Sequence, residues 1–98
     1  MVKKKFKIVW SKESKQSVKD IYDFYKHKSL QGAKNVKKEI INSPKSIIYA
    51  KQFQVDDVNP KYRRIIVRDY KVLYRVANDL VNIVDVICTR KDPNKQKT

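Results

Sequence analysis

The sequence predicts an α+β fold in the order β-α-α-β-β-β, a helical hairpin packed on one face of a mainly antiparallel sheet. Three observations predict it. Residues 12–41 carry apolar side chains at helical spacing, interrupted near the only glycine. Residues 62–88 are rich in Ile, Val and Tyr and alternate with a period of two, punctuated by short polar turns. A brief alternating run at residues 5–10 precedes them all. Ninety-eight residues allow one domain, with about 60–65% of the unfolded surface buried. That domain is expected over residues 1–93, with 94–98 a frayed basic tail.

In order, Phe6 and Ile8 share one face of a first strand. Ser11 is an N-cap candidate, because its hydroxyl can satisfy a free amide of the first turn. Val18, Ile21, Tyr22 and Tyr25 then recur at i, i+3, i+4 and i+7, so a helix is expected over 12–28. Gly32 is read as the break before a second helix, whose stripe is Ala33, Val36 and Ile40 with Ile41 at its border. Pro44 closes that helix, since its ring cannot continue the backbone. So short a connection folds the helices back antiparallel. Residues 44–61 lack a sustained period and contain the turn chemistry Asp56-Asp57 and Asn59-Pro60, with a short strand expected near 52–55. Strands follow at 62–68, 70–76 and 80–88, with Arg68-Asp69 and Asn78-Asp79 as the turns.

If Arg68-Asp69 is a two-residue turn, Val67 faces Tyr70 and Ile66 faces Lys71. One sheet face then carries Ile65, Val67, Tyr70, Val72, Tyr74 and Val76, and belongs against the helices. The other carries Arg64, Ile66, Arg68, Lys71, Leu73 and Arg75. In the last strand, Leu80, Asn82, Val84, Val86 and Cys88 share a face. With Asp85 set outward, Ile83 and Ile87 fall beside Ile66 and Leu73. The open face thus mixes bases with a small apolar patch, a docking surface for a partner with apolar anchors and acidic flanks or a groove for phosphates. The alternative is an outer face with scattered aliphatics.

Lys and Arg number 24 against 10 acids, a net charge of +14. Residues 1–60 contribute +8 and residues 61–98 contribute +6, so the excess is not confined to a tail. A field of that sign favours nucleic acid, ribosomes or an acidic protein; the alternative is a Lys-rich solvated surface. No apolar run approaches a membrane span or a signal peptide, so no membrane partner is expected and the cytosol is the expected compartment. Cys88 and His27 stand alone, which leaves no basis for a zinc site, a disulfide or any other cofactor. Cys88 reads as a core residue and His27 as an exposed or capping one. A lone glycine makes no phosphate loop. Any cleavage must rely on Lys, Arg and Tyr, through electrostatic stabilisation or a lysine acting as base.

The run Tyr62-Arg63-Arg64-Ile65-Ile66-Val67-Arg68-Asp69-Tyr70-Lys71-Val72-Leu73-Tyr74-Arg75-Val76, the ending Val84-Asp85-Val86-Ile87-Cys88-Thr89-Arg90-Lys91-Asp92-Pro93, and Trp10-Ser11 ahead of a helix with Ile21-Tyr22 resemble the RelE/ParE superfamily. These are the toxin halves of bacterial type II toxin–antitoxin pairs. The resemblance implies a growth inhibitor neutralised by a cognate acidic antitoxin. Its target would be ribosome-bound mRNA, cut by an endoribonuclease, or DNA gyrase, bound without nuclease activity. The nuclease is slightly favoured because phosphate contacts reward a basic chain. In that reading Arg64, Lys71 and Arg90 are catalytic and exposed. Arg68, Arg75, Ile66 and Leu73 complete the binding face. Ile66 stands where the nuclease pattern prefers a base, no tyrosine follows Arg90, and Arg68 replaces the glycine usual before the hairpin Asp. An RNA-binding module or inactive relic is the reading from a different class.

Overall fold

The computed structural model describes residues 6–91. Strand β1 (Lys7–Trp10) leads into helix α1 (Lys12–Lys26), which is followed by helix α2 (Leu30–Asn42). The meander β2 (Arg63–Val67), β3 (Tyr70–Ala77) and β4 (Leu80–Cys88) completes the fold. The sheet order is β1-β4-β3-β2. The first strand pairs parallel with β4, and the other neighbours are antiparallel.

Each helix begins where a serine can cap it. Ser11 Oγ accepts from Ser14 N–H at 3.0 Å, and Ser29 Oγ accepts from Gly32 N–H at 3.0 Å. Gly32 is therefore not the break between the helices. It occupies the first turn of α2, where its amide is one of the orphan donors a cap must satisfy. The stripe Ala33, Val36 and Ile40 is fully buried, and Val18 and Ile21 meet it from α1. Past Asn42 the chain tightens into a 3₁₀ turn, Ser43–Ser46, with Pro44 near its start. The strand expected near 52–55 is only one bridge, Val55 to Arg63, beside a hydrogen bond from Arg64 N–H to the Gln54 carbonyl.

Sheet register explains most of the core. Ile65, Val67, Tyr70, Val72 and Tyr74 are all buried on the helix side, as their alternation requires. In β4 the alternation breaks. Leu73 lies opposite Asp85 while Tyr74 lies opposite Ile83, so Val84 is an extra residue, a β-bulge. Val81, Ile83 and Val86 consequently all join the core. Two expectations are corrected here. Ile83 is not beside Ile66 on the open face, and Asp85 does not point outward but accepts from Ser17 Oγ of α1 at 2.6 Å. The bulge is also where α1 docks, because Ser11 Oγ donates to the Val84 carbonyl at 2.7 Å. Residues 94–98, expected to fray, lie outside the described residues.

Candidate functional site

The β2–β3 hairpin has the register its sequence predicts, with Val67 opposite Tyr70 and Ile66 opposite Lys71. Arg68 takes φ 56°, the left-handed region that a tight hairpin turn demands and that glycine occupies at least cost. Its guanidinium binds Glu39 of α2 through two contacts, Nε–Oε1 at 2.9 Å and Nη2–Oε2 at 2.7 Å. That hydrogen-bonded pairing lowers the Glu39 pKa, against a smaller opposing effect of desolvation.

On the far face of the sheet the irregular segment 47–62 folds back over the hairpin. Asp56, 1% exposed, is its anchor. The Asp56 carboxylate accepts from the amides of Val58 at 3.2 Å and Asn59 at 2.8 Å, closing the turn. It also receives Lys71 Nζ at 2.9 and 3.2 Å and Arg64 Nη1 at 3.4 Å. Burial alone pushes the Asp56 pKa up and is the largest single influence. The hydrogen bonds from Lys71 and Asn59 and the nearby ammonium together outweigh it, and the net shift is downward.

Lys71 was expected to be exposed and catalytic; it is 3% exposed. Leu73, expected on the open docking face, is 2% exposed. Lys71 is covered by the segment around Asp56, whose carboxylate receives its ammonium group, and Leu73 lies between Arg64 and Asp85 in the middle of the sheet. Arg64 is partly covered, contacts Asp57 at 3.5 Å as well, and reaches the Val55 carbonyl and Gln54. Ile66 stays 56% exposed. Asp56, Arg64, Ile66, Arg68, Asp69 and Lys71 line one concavity of about 300 Å³ together with Asp57 and Thr89. Arg90 reaches its rim by pairing with Asp69 at 2.9 Å, and Thr89 ties the same corner to the Asp69 carbonyl. Arg75, opposite Asn82, is exposed but does not line this concavity.

Four of the seven site residues are thus drawn together, Arg90 joins at the edge, and Leu73 and Arg75 do not. The sequence reading placed Asp56 and Asp57 in a turn but did not pair them, or Glu39 and Asp69, with these bases. A usable signal was present: Lys71 is flanked by Tyr70, Val72 and Leu73 in an apolar stretch of its strand, and a buried lysine there demands an acid, which the Asp56-Asp57 turn supplies. Among the described residues no cluster of three or more His, Cys, Asp or Glu side chains forms, and no helix is long and apolar enough to cross a membrane.

A helical hairpin laid on a four-stranded sheet, with a basic hairpin framed by a late arginine, is the architecture of type II toxins of the RelE/ParE superfamily. Within it, the chain belongs to the family described as the ParE toxin of the type II toxin–antitoxin system parDE, whose profile matches residues 8–93. Membership implies a cognate antitoxin. Among solved structures, the chromosomal ParDE system of P. aeruginosa matches with a TM-score of 0.72 at 16% identity, over 85% of this chain and 95% of that one. YafQ from E. coli strain BL21(DE3) matches with a TM-score of 0.50 at 17% identity, over 88% and 96%. No curated protein matches the sequence significantly.

Proposed function

We propose that this toxin inhibits growth by gripping a protein, DNA gyrase, rather than by cutting messenger RNA, and that an acidic antitoxin neutralises it. The observation that carries this reading is the pairing of every proposed catalytic cation with a carboxylate: Lys71 with Asp56, Arg64 with Asp56 and Asp57, Arg90 with Asp69. A scissile phosphate would have to displace a carboxylate from each of them. Lys71 is buried as well, so it offers a phosphate little access. An exposed isoleucine ringed by ion-paired arginines suits a protein interface instead, where apolar centres and Arg carry much of the binding energy.

Ile66→Lys separates the alternatives. Seated against a protein, the variant loses apolar contact worth about 1.5–3 kcal/mol, so gyrase affinity is expected to fall roughly 10- to 100-fold. Cleavage of ribosome-bound message maintained or raised by the same variant, with gyrase affinity unchanged, would support the nuclease.

A further inference from the structure

We propose that the outer groove between α1 and α2 is a second binding surface, one that holds the phosphate backbone of duplex DNA. It is lined by Tyr22 from α1 and by Lys34, Lys37, Lys38, Ile41 and Asn42 from α2, and encloses about 470 Å³. Among the described residues no carboxylate lines it. At the hairpin, by contrast, Asp56, Asp57 and Asp69, and Glu39 reaching across from α2, each hold a base. Four of the chain's ten acids are committed to hairpin bases, and Asp23 pairs with Lys26 on α1, whereas Lys34, Lys37 and Lys38 make no ion pair among the described residues.

The flank of α1 that carries Tyr22 extends the basic surface. Lys12, Lys15 and Lys19 precede Tyr22 at intervals of three and four residues, so they share its side of the helix, and all three are exposed. Neither helix contains an arginine; all of them fall between residues 63 and 90. Lysine is a compact point charge without the planar fork that reads base edges, and it suits phosphate contact independent of sequence.

The occupant follows from the aromatic rings. A single strand is held by stacking its bases on open rings. Lys37 Nζ lies over the Tyr22 ring at 5.3 Å, and Lys28 Nζ lies over the exposed Phe24 ring at 5.0 Å. Both α1 platforms are thereby capped by ammonium groups, which leaves charge rather than ring faces to meet the ligand. A stiff rod of phosphates fits that description. This inference stands apart from what the sheet face grips.

The test measures the purified full chain against a fluorescent DNA duplex of random sequence, over a range of salt. Lys34→Gln/Lys37→Gln/Lys38→Gln is compared with Lys7→Gln/Lys51→Gln/Lys61→Gln, which removes equal charge from exposed positions elsewhere. Each lost phosphate contact should flatten the log–log salt dependence by about 0.9. The groove variant is expected to lose roughly 2–3 of slope and on the order of 100-fold in affinity at 0.1 M salt. The control should lose far less. Melting curves of both variants should match the parent, since the changed side chains are exposed. Equal losses in the two variants, or tighter binding of an RNA duplex or a single strand than of duplex DNA, would overturn the proposal. Antitoxin affinity should be unaltered in the groove variant; its loss would assign the groove to a protein instead. Gyrase inhibition is read separately, so failure of either reading leaves the other standing.

Discussion

Lys71 and Asp56 are the residues on which the site turns. Removing one member of a buried ion pair leaves an uncompensated charge and typically costs about 3–5 kcal/mol. Asp56→Ala should fall in that range, because it strands Lys71 and also uncaps the turn at Val58 and Asn59. Lys71→Met should cost less, since Asp56 keeps Arg64 and two backbone amides. Urea denaturation of both variants and of Asp56→Ala/Lys71→Met checks this; a double variant as unstable as the sum of the singles would deny the coupling. The lowered Asp56 pKa fixes a pH dependence. Its contribution is fully present above the unfolded carboxyl value near ~3.9, and is lost as pH falls through the depressed folded value. The Asp56→Ala/Lys71→Met variant should therefore show a smaller fall in denaturation midpoint between neutral and strongly acid pH than the parent. Arg68 gives a second residue-scale expectation. Arg68→Gly and Arg68→Ala both lose the Glu39 pair, but only glycine accepts φ 56° without strain. The glycine variant should be the more stable by about 1 kcal/mol, and equal stability would mean the turn relaxes elsewhere. The facing of Ile66 and Lys71 was legible from turn length and alternation. The burial of Lys71 was not, because it depends on a distant, aperiodic segment that no period announces.

At the scale of elements, the two serine caps differ in what they hold. Ser29 caps α2 at an exposed site through one bond to Gly32. Ser11 caps α1 and also fastens it to the bulged carbonyl of Val84 in β4, so it joins helix to sheet. Ser11→Ala should cost about 1–2 kcal/mol and Ser29→Ala about 0.5–1 kcal/mol; thermal melts of the two variants read the difference, and a reversed order would detach the cap from the bulge. The helices, the hairpin and the span of β4 were all readable from periodicity and turn residues. The bulge was not. A run of Leu, Val, Asn, Ile, Val, Asp, Val, Ile and Cys is apolar at odd and even positions alike, so one extra residue leaves no trace in the pattern. Gly32 misled for a different reason: glycine punctuates chains often enough to suggest a break, yet here it lies within the first turn that Ser29 caps.

For the whole molecule, a net charge of +14 does not by itself select a nucleic-acid substrate for the sheet face. The sign of the charge was plain in the sequence; its distribution became visible only once acids distant along the chain were seen to meet the hairpin bases. Glu39 and Arg68 are 29 residues apart, and Asp56 and Lys71 are 15 apart. The match of Arg64, Arg68 and Lys71 with carboxylates, and the exposed isoleucine at the hairpin centre, are what support the proposal that this face binds a protein. Induced expression in bacteria, with plasmid supercoiling and message integrity followed in the same cultures, tests that claim most directly. The account predicts that supercoiling is lost while messages stay intact, and that both the growth arrest and the loss of supercoiling weaken in Ile66→Lys. Rapid cleavage of translated messages with supercoiling preserved would contradict it.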